Sequence, residues 1–304
     1  MPVGPRFYEP ARVGHLVKAR TSLAVAEGLA RGGRPAAEDR ERSLLLLVDP
    51  QVDFIHEDGA LSVPGAVADT RRTIEWLLDH LESITSIAVS LDSHLPRQIF
   101  YPTWWADVAG THPEPFSLIT PEAVETGRWV PLFEPEWSAY YVAELHKSAR
   151  KTLMIWPYHT MIGTPGHAID PALSEAISYH AAARRSQPRY VLKGTLPQTE
   201  YYSLLEPEVK VEREPSGQLN QDLLDWMMGF DRIYIAGQAK SHCVLETLNS
   251  IARYHPDQLG KLHLLTDCTS SVQHPEIDFE SIAQATLAEL AARGLVMHRS
   301  NEAI

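Results

Sequence analysis

The sequence predicts a doubly wound α/β fold: a mostly parallel sheet of about six strands, flanked by helices in three layers and carrying one long insertion. Three observations predict it. Short continuous apolar runs recur from Ser43 onward, each ended by a polar residue or glycine, as in strands buried on both faces. Segments with helical apolar spacing lie between them, the mark of strand–helix–strand units. The tract 95–150 breaks this rhythm with proline, tryptophan and tyrosine.

Residues 1–42 precede the first run and read as an N-terminal extension with some helix, chiefly over 16–31. The apolar runs then follow in order. The run 44–48 stops at Asp49, 87–91 at Asp92, 190–192 at Lys193, 233–236 at Gly237, and 262–265 before Asp267; a last run covers 295–297. Between the first two, 67–81 places Ile74, Leu77, Leu78 and Leu81 at helical spacing. The segment 219–228 does the same and meets Gly229 as a C-cap. Val244, Leu248, Ile251 and Ala252 share one helical face, and 279–292 ends near Gly294. Residues 43–304 are therefore expected to form one domain. An irregular aromatic stretch such as 95–150 inside it reads as a lid or binding insertion.

The bulk numbers bound the function. The chain has 304 residues, a net charge of -12, 44% hydrophobic and 22% charged residues, a globular composition. An acidic surface repels phosphate backbones and anionic membranes, and no dense basic run offsets it. Nucleic acid and membrane are thus poor partners. The run 44–48 is too short to cross a bilayer, and the first twenty residues hold no apolar signal core. With two cysteines, Cys243 and Cys268, a disulfide framework is excluded and a cytoplasmic setting is expected.

Ligands of open α/β sheets bind beyond the carboxyl ends of the strands. Asp49, Asp92, Lys193 and the segment leading to Cys243 all lie at such ends. The segment 231–243 reads as strand, turn and helix start. A cysteine there meets the helix dipole and free N–H groups, which favour thiolate and can hold an oxyanion. A buried structural cysteine is the plainer reading of this residue alone. Asp49 offers a base and Lys193 a cation to stabilise both charges; singly, each also fits a turn cap or a solvated strand end. Asp92-Ser93-His94 puts two ligand types on one face of extended chain. With His159 they make one carboxylate and two imidazoles, a set suited to zinc, iron or manganese with open positions.

Taken together, Val48-Asp49-Pro50-Gln51-Val52-Asp53-Phe54, Asp92-Ser93-His94, Trp156-Pro157-Tyr158-His159, Lys193-Gly194 and the stretch 237–244 occur in one order. This resembles the isochorismatase-like cysteine hydrolases over 43–300, the insertion apart, and within them most closely the nicotinamidases. The resemblance implies that Cys243 attacks an amide carbonyl, Asp49 shuttles the proton to the leaving ammonia and Lys193 supports the charge pair. It implies an oxyanion hole from the N–H groups of Ala239 and Cys243, with a cis peptide at Gln238–Ala239. It implies one divalent metal on Asp92, His94 and His159, and ring-sandwiching walls from Phe54 and Trp156. A small amide would be the substrate, and a homo-oligomer is expected. There are departures: Thr160 stands where nicotinamidases usually have cysteine, Gln98 where they often have another histidine, and the insertion and the segment 194–203 are longer than usual. These leave the chemistry intact and open the substrate to other small amides, carbamoyl or ureido compounds and esters. A vinyl ether substrate fits less well, because the cysteine is present. A catalytically silent domain that holds a partner through the aromatic insertion is the reading from another class.

Overall fold

The computed structural model describes residues 4–148 and 151–302; the first three residues of the extension, the last two of the insertion tract and the C-terminal pair lie outside the described residues. Six strands make one sheet: β1 (Ser43–Val48), β2 (Ser86–Asp92), β3 (Arg189–Lys193), β4 (Arg232–Gly237), β5 (Leu262–Leu265) and β6 (Val296–His298). Their spatial order is β3-β2-β1-β4-β5-β6, and every neighbouring pair is parallel. The longer helices are α1 (Thr21–Arg31), α2 (Ala66–Asp79), α3 (Pro135–Ser148), α4 (Pro171–Arg184), α5 (Gln221–Met228), α6 (Leu245–Tyr254) and α7 (Phe279–Ala292).

The three layers follow from β1. Leu44, Leu46 and Val48 face one core with Leu223 and Leu224 of α5, Leu248 and Ile251 of α6 and Leu287 of α7. Leu45 and Leu47 face the other with Ile74 and Leu77 of α2 and Leu173 and Ile177 of α4. Alternate side chains thus go to opposite faces, and both faces are covered, which is why the strand reads as an unbroken apolar run. Local signals set the helix ends. The Asp170 carboxylate accepts from the N–H groups of Ala172 and Leu173 at the start of α4, with Pro171 in the first position. Gly229 closes α5 at φ -73°, without the left-handed turn that a glycine there predicts.

The N-terminal helix begins at Thr21, five residues later than the periodicity indicates. Residues before it are committed elsewhere: Arg12 donates to Lys18 O at 2.9 Å, and Arg20 N–H donates to Glu175 Oε1 at 2.6 Å. The Arg12 guanidinium also pairs with Glu175 Oε2 at 2.9 Å, with both side chains largely out of water. Phe7, Val13 and Ala24 join the same core as α2 and α4.

The tract 95–150 is more ordered than its composition indicates, and the expectation of an irregular stretch is corrected. Its prolines start helices: Pro135 opens α3, and Pro121 opens a short helix at Pro121–Glu125. Two small antiparallel ribbons pair Trp105–Ala106 with Val130–Pro131 and Leu118–Ile119 with Leu153–Met154. Trp104 and Trp105 are buried, with their indole N–H groups on Ser138 Oγ and Ile99 O. They share a third core with Phe54, Ile55, Ala239 and Val272, so the tract packs on the domain beside the strand ends.

The Arg12–Glu175 pair makes the extension testable. Glu175→Ala leaves a shielded guanidinium without its carboxylate, and breaking such a pair costs about 3 kcal/mol or more. Urea unfolding of the full chain should show that loss; an unchanged midpoint would mean that the extension adds nothing to the fold.

Candidate active site

Four strand ends bring the site together. In the β2–β3 ladder Asp92 lies directly opposite Lys193, and in the β1–β4 ladder Val48 lies opposite Gly237. Gly237 has φ +113°, and a Cβ there would sit 2.1 Å from Val48 O. Only glycine lets β4 turn this tightly against β1. The chain then passes through a cis Gln238–Ala239 peptide, as the resemblance implies. A single π-helical turn, Lys240–Val244, leads into α6 and carries Cys243. Asp49 follows β1 at φ +43°, a left-handed position that Asp tolerates better than most residues.

Lys193 is the hub. Its Nζ donates to Asp92 Oδ1 at 2.9 Å, to Tyr201 O at 2.8 Å and to Cys243 Sγ at 3.5 Å. It also lies 2.9 Å from Asp49 Oδ2. An ammonium has three protons, and the three hydrogen bonds use them. Asp49 Oδ2 is held by its ion pair with Lys193, while Oδ1 accepts from Ser90 Oγ at 2.6 Å. Burial pushes the Asp49 carboxyl up, Lys193 opposes this and Asp92 adds to it. Lys193 itself is held well above its ordinary range: burial works against its charge, and Asp49 and Asp92 overcome that. The helix start predicts a thiolate at Cys243. The surroundings reverse this: burial pushes the thiol well up, Lys193 offsets only part, and Asp49 and Asp92 push the same way as burial. The sulfur thus lies within reach of the ammonium and beside the Asp49 carboxylate.

Asp92, His94 and His159 converge: one ligand atom from each lies within 4.8 Å of the others. His94 Nε2 is 2.8 Å and His159 Nε2 3.6 Å from Asp92 Oδ2. The outer nitrogens face backbone carbonyls, His94 Nδ1 at 3.2 Å from Gly194 O and His159 Nδ1 at 2.7 Å from Pro157 O. Donation there leaves each Nε2 with a lone pair turned inward, the usual support of a metal-binding imidazole. This donor set fits a divalent cation. Gly194 is part of the frame: at φ +77°, its Cβ would meet Asp92 Oδ1 at 2.8 Å and His94 Cε1 at 2.9 Å. Burial pushes the Asp92 carboxyl up, but His94 and Lys193 hold it well below the usual carboxylate range.

Phe54 and Trp156 line one small pocket with the three ligand-type residues and Cys243. Its empty space is about 440 Å³ including the open mouth, room for one small molecule. Every residue singled out from the sequence is therefore in this cluster or on its wall.

Other lining residues were not legible. Phe100 comes from the insertion, Glu200, Tyr201 and Tyr202 from the long segment after β3, and His242 from beside Cys243. The His242 ring stands edge-on to Trp156 and Tyr202, and burial pushes it down to about 3. Its place next to Cys243 was the available signal. Gln51 clamps the Asp92 backbone, accepting from its N–H at 2.7 Å and donating to its C=O at 2.8 Å. Gln98, at the position of an extra family histidine, points its amide at Gly194 O and Leu196 O. Thr160 is buried, and its hydroxyl has no hydrogen bond among the described residues.

No protein-family model and no curated protein matches the sequence. Solved structures do. The chain is similar to the yeast nicotinamidase bound to the inhibitor nicotinaldehyde, at 21% identity and TM-score 0.58, over 84% of this chain and 99% of that one. It is similar to an Acinetobacter baumanii nicotinamidase/pyrazinamidase at 17% identity and TM-score 0.57, over 86% and 98%. A Pyrococcus horikoshii pyrazinamidase in complex with zinc aligns at 20% identity and TM-score 0.50, over 85% and 99%. The chain thus has the α/β fold of the nicotinamidases and pyrazinamidases, across nearly the whole length of each.

The hub carries a stability prediction. Lys193→Met leaves Asp49 and Asp92 buried without their shared cation, and breaking a buried pair costs about 3–5 kcal/mol. Thermal and urea unfolding should both show it. A variant as stable as wild type would show that the two carboxylates do not need the ammonium.

Proposed function

We propose that this chain belongs to the isochorismatase-like cysteine hydrolases and cleaves a small amide through a thioester on Cys243. Nicotinamide, giving nicotinate and ammonia, is the first substrate to try. One observation carries the reading. A single buried ammonium touches a base, a ligand carboxylate and the only sulfur on the pocket wall.

The steps follow from that arrangement. Asp49 takes the thiol proton as Cys243 Sγ attacks the amide carbon. Lys193 holds sulfur and carboxylate in reach and keeps its charge throughout. The N–H groups of Ala239 and Cys243, at the mouth of the turn, receive the oxygen as it becomes negative. Asp49 returns the proton to the nitrogen as the C–N bond breaks and ammonia departs. It then takes one from the water that attacks the thioester and gives it to Cys243 Sγ as the C–S bond breaks. Phe54 and Trp156 hold the flat part of the substrate and keep bulk water away. A zinc, iron or manganese ion bound by Asp92, His94 and His159 would supply a Lewis-acidic anchor for a ring nitrogen.

Ammonia release over a panel of small amides, carbamoyl and ureido compounds tests this directly. Cys243→Ala should keep the fold and lower kcat by more than about a thousandfold, while Cys268→Ala, buried in the core away from the pocket, should leave it unchanged. Asp49→Asn should resemble Cys243→Ala. If Cys243→Ala turns over like wild type, the mechanism fails.

Metal content gives an independent check. His94→Ala and His159→Ala should each weaken metal affinity at least tenfold or so, since even loss of an outer partner does about that much. Elemental analysis after dialysis measures it. Equal metal in both variants and wild type would remove the ion from this site.

A further inference from the structure

Glu200 is a buried carboxylate that the reaction above does not use. It lies in the segment after β3, is 2% exposed and borders the pocket. Its Oε1 accepts from Tyr202 OH at 2.5 Å and from the Trp156 indole N–H at 3.0 Å. Its Oε2 accepts from Tyr141 OH at 3.3 Å, and the same hydroxyl accepts from the Glu200 N–H at 3.0 Å. Tyr141 is a fully buried residue of α3, inside the insertion. Glu200 therefore joins three separate segments: the insertion, the pocket wall and its own loop.

Among the described residues no cation pairs directly with this carboxylate. Lys151 spends its ammonium on Glu208 at 2.6 Å and Glu246 at 2.8 Å, and overlies the Tyr202 ring. Burial and Glu208 push Glu200 up to about 7, against the pull of Tyr202, Trp156 and Lys151. A merely space-filling wall would be better made of apolar residues, because a buried polar group is useful only where its hydrogen bonds specify a geometry. Here the geometry specified is that of Trp156. Its ring stands edge-on to Phe116 and His242. The indole N–H also reaches Tyr202 OH at 3.2 Å, and that hydroxyl itself donates to Glu200 Oε1. Turning the indole would break both of its contacts and leave its N–H unpaired away from water, while Glu200 Oε1 would keep only Tyr202.

We propose that Glu200 is a positioning residue that fixes the Trp156 wall of the pocket, and that the insertion reaches the substrate through it by way of Tyr141. The assignment to substrate binding rests on the amide-hydrolase reading; the hold on Trp156 does not. The residue touches no reacting atom, so it acts on binding and not on proton transfer.

Two measurements on the full chain test it. The first is steady-state ammonia release from nicotinamide. Glu200→Met should raise KM about tenfold and change kcat less than about twofold, the pattern of lost uniform binding. Glu200→Gln keeps an oxygen for the indole and should restore KM to within about twofold of wild type. Trp156→Phe removes the same hydrogen bond from the other side, so adding Glu200→Met to it should raise KM no further. The second is the indole N–H proton resonance of Trp156, assigned by its loss in Trp156→Phe. It should be slow to exchange with solvent in wild type and Glu200→Gln, and fast or shifted in Glu200→Met. A Glu200→Met enzyme with a lower Tm but wild-type KM and an unmoved indole signal overturns the proposal, as do additive effects in the double variant. A wild-type chain that releases no ammonia from any amide overturns the hydrolase reading alone. The indole signal then decides the hold on Trp156 by itself.

Discussion

A buried ammonium between two carboxylates is the constraint on which the site depends. Lys193 cannot sit out of water unless negative charge surrounds it, and Asp49 and Asp92 cannot share a dry corner unless a cation separates them. The carboxylates hold the ammonium up, His94 and the ammonium hold Asp92 down, and Asp92 pushes the neighbouring Asp49 up. Two carboxylates facing one ammonium leave the cluster short of positive charge. The two imidazoles beside Asp92 add nitrogen donors to its carboxylate, a set that a divalent ion would complete. The same shortage pushes the Cys243 thiol up. Charge balance is thus what the proposed cation and the proposed base, Asp49, would both answer.

The sheet supplies the positions. The spatial order β3-β2-β1-β4-β5-β6 changes direction between β1 and β4, and in such sheets the crevice forms where the order reverses. Asp49 leaves β1 on one side of that crevice, and the turn to Cys243 leaves β4 on the other. Parallel pairing with β2 and β3 then sets Asp92 and Lys193 side by side. Two glycines make the approach close enough. Gly237 lets β4 meet the end of β1 without a side chain between them, and Gly194 lets the chain leave β3 against Asp92 and His94.

Much of this was legible because it is written in short-range pattern. Runs that are apolar without alternation mark strands buried on both faces, and all six appear within a residue or two of where they were read. Of the residues that end those runs, Asp49, Asp92 and Lys193 converge, whereas Asp267 binds Ser300 and Arg72 instead. What was not legible depends on contacts far apart in sequence. The helix start at Thr21 is set by Glu175, over 150 residues away. The order within 95–150 comes from tryptophans that find partners in their own tract and a core on the domain. The helix start weighs toward thiolate at Cys243, but the two carboxylates that push its thiol the other way come from β1 and β2 and leave no mark beside it in sequence. Glu200 and Tyr141 carry no local signal; only the fold makes a glutamate 59 residues from a tyrosine its partner.

The segment 194–203 is where these strands of argument meet. Gly194 O orients His94, Tyr201 O holds Lys193, and Glu200 holds Trp156. One stretch of loop thus supports the ligand cluster, the charge pair and the aromatic wall. The insertion is fastened to that stretch at several points: Gln98 to Gly194 O and Leu196 O, Trp137 to Gln198 O, Tyr141 to Glu200. The reacting groups themselves stand on strand ends and a helix start, which the two main cores fix independently. This division has a physical consequence. Changes in the insertion can move the wall by way of Glu200 while Asp49, Lys193 and Cys243 stay in register. On the proposed reading, the insertion is therefore a means of changing which small molecule fits without disturbing the charge cluster at the strand ends.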